Sequence, residues 1–137
     1  MLNFLKTKKT IGRLERVDLP EFGIHGIEAK IDTGAYRSTI HATDIHEDNG
    51  ILKFRLLDPD HAQFNRHIYE ARDFALVRVK SSNGEVAERY KIKTPILIRG
   101  QKFITDFTLS DRASMRRPVL IGRKVLHHRF VVDVSIA

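Results

Sequence analysis

The chain has 137 residues, 42% hydrophobic and 30% charged, which suits one packed domain spanning 1–137 and argues against wholesale disorder. It contains no cysteine, so disulfide frameworks, zinc fingers, iron–sulfur clusters and a cysteine nucleophile are all excluded. With 24 Lys+Arg against 17 Asp+Glu, the net charge of +7 favours polyanionic partners, although a solvated basic surface gives the same balance.

Aromatic residues make up only 8% and Trp is absent, so no aromatic-rich single-strand or RRM pattern is present and nucleic acid is not the expected partner. Apolar runs such as Phe74-Ala75-Leu76-Val77 stay far below the roughly 20 residues of a membrane span, and no membrane association is expected. Lys6 interrupts the first apolar stretch too early for a signal peptide. Residues 1–9 therefore read as a disordered N-terminal extension, and the location as cytoplasmic.

Along the chain, short alternating segments punctuated by turn residues predict an all-β domain. Thr10 to Asp18 reads as a first strand, stopped by Pro20 and the Gly23–Gly26 turn region. Ile27, Ala29 and Ile31 then alternate with Glu28 and Lys30, giving a strand with one buried face that runs straight into Asp32-Thr33-Gly34. Asp48-Asn49-Gly50 reads as a turn, followed by a strand from Ile51 to Leu57 that Asp58-Pro59-Asp60 closes. His61 to Asn65 reads as loop.

Tyr69 to Ser81 and Glu85 to Ile92 predict a hairpin around Ser82-Asn83-Gly84, with arms so charged that it would project with little packing of its own. Pro95 is expected to start another strand and Gly100 to turn it, with Phe103, Thr105, Phe107 and Leu109 on one face of the next. A polar, Arg-rich connection from Ser110 to Pro118 leads to a buried strand, Val119-Leu120-Ile121. One or two helical turns over Gly122 to His127 and a terminal strand from Phe130 to Val134 complete the reading.

Chemical content concentrates in Ile31-Asp32-Thr33-Gly34-Ala35. A carboxylate ends an apolar strand, followed by a hydroxyl and a glycine that permits a sharp turn. The tripeptide alone is equally at home in an ordinary turn. Its context includes a second element, Val119-Leu120-Ile121-Gly122-Arg123, placed before the short helix.

This pairing resembles the retropepsins, aspartic proteases whose subunits carry Asp-Thr-Gly-Ala early and two apolar residues plus Gly-Arg late. The segments Ser81-Ser82-Asn83-Gly84, Met115 to Arg123 and Phe130-Val131-Val132-Asp133 look more closely like a bacterial retropepsin-like family often labelled an ATP-dependent zinc protease. The resemblance implies an acid-protease closed barrel or sandwich with a flap hairpin and one short C-terminal helix. An extra strand or hairpin around Ile51 to Arg72 would be added to it.

The resemblance also implies roles. Asp32, Thr33 and Gly34 would be catalytic, and Ile121 and Gly122 would pack beneath them. Ala35, Arg37, Ser82, Asn83, Gly84 and Arg123 would contact a peptide substrate. Aspartic proteases need two carboxylates sharing one proton, because like charges about 3 Å apart cannot both ionise. With one Asp-Thr-Gly in the chain, that requirement implies a homodimer that pairs two copies of Asp32. Thr33 would then bond across the two-fold axis.

Retroviral members follow the alanine with an acidic residue that pairs with the late arginine. Here Tyr36-Arg37 stands in that stretch, so Arg123 must find another partner or face a substrate carboxylate. No cofactor and no metal are expected. There is no His-Glu-x-x-His and no phosphate-binding glycine loop, and neither His41/His46, five apart, nor His61/His67, six apart, has a usual helical ligand spacing.

Ser81 and Ser82 lack a nucleophile elbow. Arg112, Arg116 and Arg117 read as solvated charge or as an anion-recognition cluster. The family's gene neighbourhood, beside ligases that add glutamates to protein termini, implies a peptidase or binder for acidic tails. The alternatives are a noncatalytic module with the same fold and a ribosome- or RNA-associated barrel.

Overall fold

A computed structural model describes residues 8–80, 83–111 and 117–137. Ser81 and Ser82 of the expected flap tip, and Arg112, Met115 and Arg116 of the expected basic connection, lie outside the described residues. So do positions 1–7 of the N-terminal extension, while Lys9 begins the first strand.

The described residues are almost entirely β-structure. Strands β1 (Lys9–Ile11), β2 (Leu14–Leu19), β3 (Ile24–Ile31), β4 (Ser38–Asp48) and β5 (Ile51–Leu56) form the first half. They are followed by β6 (Tyr69–Ala71), β7 (Phe74–Lys80), β8 (Val86–Ile98), β9 (Gln101–Ser110) and β10 (Val119–Ile121). Helix α1 (Arg123–Leu126) and β11 (Phe130–Val132) end the fold.

Six strands close into a barrel in the order β10-β3-β2-β8-β9-β4, with β4 returning to β10. Strand β10 is the keystone, parallel to β3 on one side and antiparallel to β4 on the other. The barrel fills because alternate residues point inward. Ile27, Ala29 and Ile31 of β3 meet Ile96 and Ile98 of β8, Phe107 and Leu109 of β9, and Ile121 of β10 in one continuous core. Strands β5 and β6 extend the sheet outward, where Phe22, Phe54 and Tyr69 pack edge-on or tilted and the Tyr69 hydroxyl donates to the Phe22 carbonyl at 3.0 Å.

Four expected boundaries move, each for a nonlocal reason. The strand expected over Thr10 to Asp18 splits at Gly12, because the C-terminal tail crosses there and a Cβ at Gly12 would lie 2.6 Å from the Ile136 carbonyl oxygen. The Arg13 N–H donates to that same oxygen at 2.8 Å, so β1 leaves the barrel to pair with β11. The arm expected over Tyr69 to Ser81 breaks at Arg72-Asp73, since β6 pairs with β5 and β7 pairs with β8. The terminal strand stops at Val132 because its partner β1 ends at Ile11 opposite it, and the Asp133 carboxylate then accepts both the N–H and the hydroxyl of Ser135.

Pro95, expected to start a strand, instead lies inside β8. The turn residues Arg99 and Gly100 have φ of 51° and 76°, so Ile98 and Gln101 form the closing hydrogen-bonded pair of a two-residue hairpin. Counting back in twos, Pro95 and Ile104 are a non-hydrogen-bonded pair, and the missing N–H is no loss to β9. On the other flank β7 reaches only Ile92 and β2 only Leu97, leaving a gap at Pro95.

A histidine ties the far end of the β4–β10 pairing. His41 is 2% exposed, its Nε2 lies 2.6 Å from Asp58 Oδ2, and its Nδ1 is 3.4 Å from the Ser110 carbonyl oxygen. Its backbone N–H donates to the Pro118 carbonyl at 2.7 Å, and its carbonyl accepts from Leu57 N–H at 2.9 Å. Three otherwise separate segments thus meet on one residue.

The Asp58 carboxyl is held below the usual range, first by the Asp60 N–H and then, against some desolvation, by His41. A depressed folded-state carboxyl contributes stability that is present above its unfolded value, near pH 4, and is lost as pH falls through the folded value. Asp58→Asn should lower stability at pH 7 by about 1–2 kcal/mol and should flatten the loss of stability below about pH 4. Denaturant titrations at pH 7 and along an acid series measure both effects. An unchanged acid slope would mean that Asp58 is not the titrating group.

Candidate active site

The loop between β3 and β4, residues 32–37, carries the expected catalytic residues. Both its ends are fixed by the barrel: Ile31 is paired with β10, and Ser38 begins β4. The Asp32 N–H donates to the Ile121 carbonyl at 2.9 Å, continuing the parallel ladder one residue past the strand. Within the loop, Asp32 Oδ1 accepts the Gly34 N–H at 2.9 Å and the Asp32 carbonyl accepts the Ala35 N–H at 3.3 Å. These bonds fix the carboxylate in an Asx-type turn at the barrel rim, with Asp32 half-buried and Thr33 exposed.

Gly122 supports the loop from beneath. An added Cβ there would lie 2.5 Å from the Arg37 carbonyl oxygen, 2.7 Å from that of Tyr36 and 2.8 Å from that of Ala35. Three carbonyls therefore rest on one position that tolerates no side chain. Around it, the Gly122 N–H donates to Ser38 Oγ at 3.0 Å, Arg123 N–H to the Ala35 carbonyl at 2.8 Å, and Lys124 N–H to the Tyr36 carbonyl at 3.0 Å. The first residues of α1 thus cap the loop with their backbone donors, which a helix start leaves free.

Arg123, left without the retroviral acidic partner, finds two others. Its Nη1 donates to the Thr33 carbonyl at 3.0 Å, and its guanidinium carbon lies 5.9 Å from the centre of the Tyr36 ring. The structure therefore brings Asp32, Thr33, Gly34, Ala35, Ile121, Gly122 and Arg123 together, and Arg37 joins them through its backbone carbonyl.

Asn83 and Gly84 belong to a different place, the β7–β8 turn, where Asn83 Oδ1 accepts the Glu85 N–H at 3.1 Å. The β7–β8 arms pair from Phe74↔Ile92 to Lys80↔Val86, and outward of Ile92 none of the described residues is buried.

Two supporting residues were not legible. Ser38 receives the Gly122 N–H across a sequence separation of 84, and Asp58 meets His41 across 17. Nothing local marks either. Arg117, read as part of a basic cluster, forms an ion pair with Glu28. Of the other histidines, His61 Nδ1 accepts the Gln63 N–H, His67 packs on Tyr69, and the rings of His127 and His128 are in tilted contact with each other. Among the described residues, no group of three or more His, Asp or Glu side chains is arranged to hold a metal ion. Nor is any helix among them long and apolar enough to cross a membrane.

Gly122→Ala should cost about 1–3 kcal/mol, because the clash is with backbone that the barrel holds in place. Chemical denaturation measures the loss. Wild-type stability in this variant would show that the loop moves aside without cost.

Known proteins share both the sequence and the fold. A Shewanella halifaxensis protein named as a probable alpha-L-glutamate ligase is 32% identical over 132 residues, covering 93% of this chain and 29% of that protein. A Desulfotalea psychrophila protein of the same name is 30% identical over 139 residues, covering 94% of this chain and 29% of its own length. The chain thus spans less than a third of these relatives. A crystallised Legionella pneumophila protein of unknown function (DUF785) superimposes with a TM-score of 0.73 at 22% identity, over 96% of this chain and 97% of that one. The profile of a family described as RimB-like, retropepsin-like aspartic endopeptidase RimB, matches residues 10–137. With its closed barrel and its Asp-Thr-Gly loop seated on Gly122, the chain belongs to this RimB-like, retropepsin-like family.

Proposed function

We propose that the chain is one subunit of a homodimeric aspartic peptidase that acts in the cytoplasm on acidic or glutamylated protein tails. The observation that carries this reading is the seating of Asp32. Its Oδ1 is fixed by the Gly34 N–H at a barrel rim, while Thr33 beside it is exposed. One such loop supplies one carboxylate, and the chemistry needs two.

Two copies related by a two-fold axis through the Thr33 loops would set the Asp32 carboxylates side by side, sharing one proton. The ionised member takes a proton from water as that water attacks the scissile carbonyl. The protonated member donates to the carbonyl oxygen, giving a gem-diol. The carboxyl that took the proton from water then passes it to the departing amine as the carbon–nitrogen bond breaks, and a diol hydroxyl returns a proton to the other carboxylate as the product acid forms. The exposed β7–β8 hairpin, with Asn83 and Gly84 in its turn, would close over the peptide. Arg37, with Ala35 beside it, would face substrate carboxylates, while Arg123 holds the loop through one nitrogen on the Thr33 carbonyl and keeps its other donors.

A second reading is supported by the curated relatives. Their ligase names, and the small share of each that this chain covers, suit a module that binds an acidic tail without cutting it. Asp32→Asn separates the two readings. In a peptidase it should reduce turnover by at least about 10³-fold, with folding and peptide binding retained. Turnover that survives in the folded variant would remove Asp32 from the chemistry. A wild-type protein that binds acidic peptides without cleaving them would favour the module.

Acidic peptides should bind more tightly than neutral ones of matched length, and the preference should shrink as salt rises from about 0.05 to 0.5 M because exposed charges are screened. Fluorescence anisotropy across that range measures it. Equal binding of both peptides at low salt would remove the acidic-tail specificity.

A further inference from the structure

Next to the catalytic loop, on the side of α1 and the β1–β11 pair, lies a pocket of about 350 Å³. Lys8, Arg123, His127 and His128 supply its polar lining along with Thr33, while Leu126, Phe130 and Val132 provide an apolar wall. Among the described residues that line it, none is acidic. Arg123 is not a free-swinging charge, because its Nη1 is fixed on the Thr33 carbonyl. The rings of His127 and His128 lie in tilted contact with centres 3.8 Å apart, and His128 holds this place with φ at 67°, a left-handed conformation that non-glycine residues seldom adopt. An open site with one fixed guanidinium, an exposed lysine and two adjacent imidazoles, and no carboxylate among its described lining residues, has the chemistry of an oxyanion receptor.

Its position gives the site a consequence. The pocket shares Thr33 with the loop that the dimer reading places at the two-fold axis. The neighbouring end of the chain exposes Val134 at 70%, an apolar side chain available to a second copy. Pairing across this face would bring two such cationic pockets together on subunits of +7 each. Like charges so placed oppose association unless something neutralises them.

We infer that the pocket lined by Lys8, Arg123, His127 and His128 binds an oxyanion, phosphate or carboxylate, and that its occupancy strengthens pairing of two copies of the chain. The coupling half of this inference rests on the homodimer reading above, whereas the binding half does not. The bound anion cancels cationic charge at the interface and contacts Arg123, whose other partner is the catalytic loop itself.

The test uses the full chain and two probes, inorganic phosphate and a short glutamate peptide. Histidine ring resonances in NMR report binding, and sedimentation in chloride or phosphate of equal ionic strength reports pairing. Saturable shifts of the His127 and His128 signals are expected, together with dimer dissociation about tenfold weaker in phosphate than in chloride. Both effects should vanish in the His127→Ala/His128→Ala double variant, with circular dichroism confirming its fold.

Phosphate acting alone would identify the free anion as the ligand, and the peptide acting alone would identify the carboxylate of a protein tail. Absence of saturable shifts with either probe, beside a normal dimer, overturns the anion site and leaves the homodimer intact. Binding without any change in pairing overturns the coupling. A chain that binds the probe yet sediments as a monomer throughout overturns the coupling and the homodimer reading together.

Discussion

The close approach of Gly122 to three consecutive carbonyls is the constraint on which the site depends. A loop at a barrel rim has few neighbours, and six residues without regular pairing would ordinarily sample many conformations. Here the carbonyls of Ala35, Tyr36 and Arg37 sit over a position with no side chain, and two of them accept the N–H groups of Arg123 and Lys124. The loop thereby becomes part of the barrel. Strand β10 brings this about by entering between β3 and β4, so the strand that closes the barrel also delivers the glycine and the helix start. Stability and site geometry come from the same insertion.

Where the chain makes its own contacts, the fold is legible in the sequence. The alternation of Ile27, Ala29 and Ile31 gives the buried face of β3, and Asn49-Gly50 and Gly100 mark turns that the structure contains. The Asp-Thr-Gly element and the late Ile-Gly-Arg element point to each other through resemblance, and the structure joins them by the Asp32–Ile121 hydrogen bond. Failures fall where a distant segment decides. Thr10 to Asp18 has no local reason to break, yet Ile136 crosses at Gly12. Pro95 is a fair strand boundary on local grounds, and only the phase of the β8–β9 ladder makes it harmless. The His41–Asp58 pair is invisible for the same reason, since burial and partnership both come from folding.

Arginine chemistry shows how family pattern and individual sequence separate. The late glycine-arginine element is kept, while the acidic residue that balances it elsewhere is replaced by Tyr36-Arg37. The guanidinium adapts by combining a carbonyl hydrogen bond with an aromatic face, two interactions that its planar, weakly hydrated group supports better than an ammonium could. The loop is held without adding negative charge near Asp32. The vicinity stays cationic, in keeping with the +7 balance of the whole chain.

The β1–β11 pairing has a consequence for how the molecule is made. Its partners are separated by more than a hundred residues, and β10, required between β3 and β4, also comes late in the chain. While synthesis is under way, β3 and β4 flank a slot that nothing upstream can fill. Native closure of the barrel therefore waits for residues 119–121, and the first strand waits for 130–132. Such long-range parallel pairings carry a high loop-closure cost and slow folding. The Asp32 loop consequently acquires its fixed shape only once residues 119–124 have been made, so a chain not yet extended that far carries the Asp-Thr-Gly tripeptide without the scaffold that would aim it.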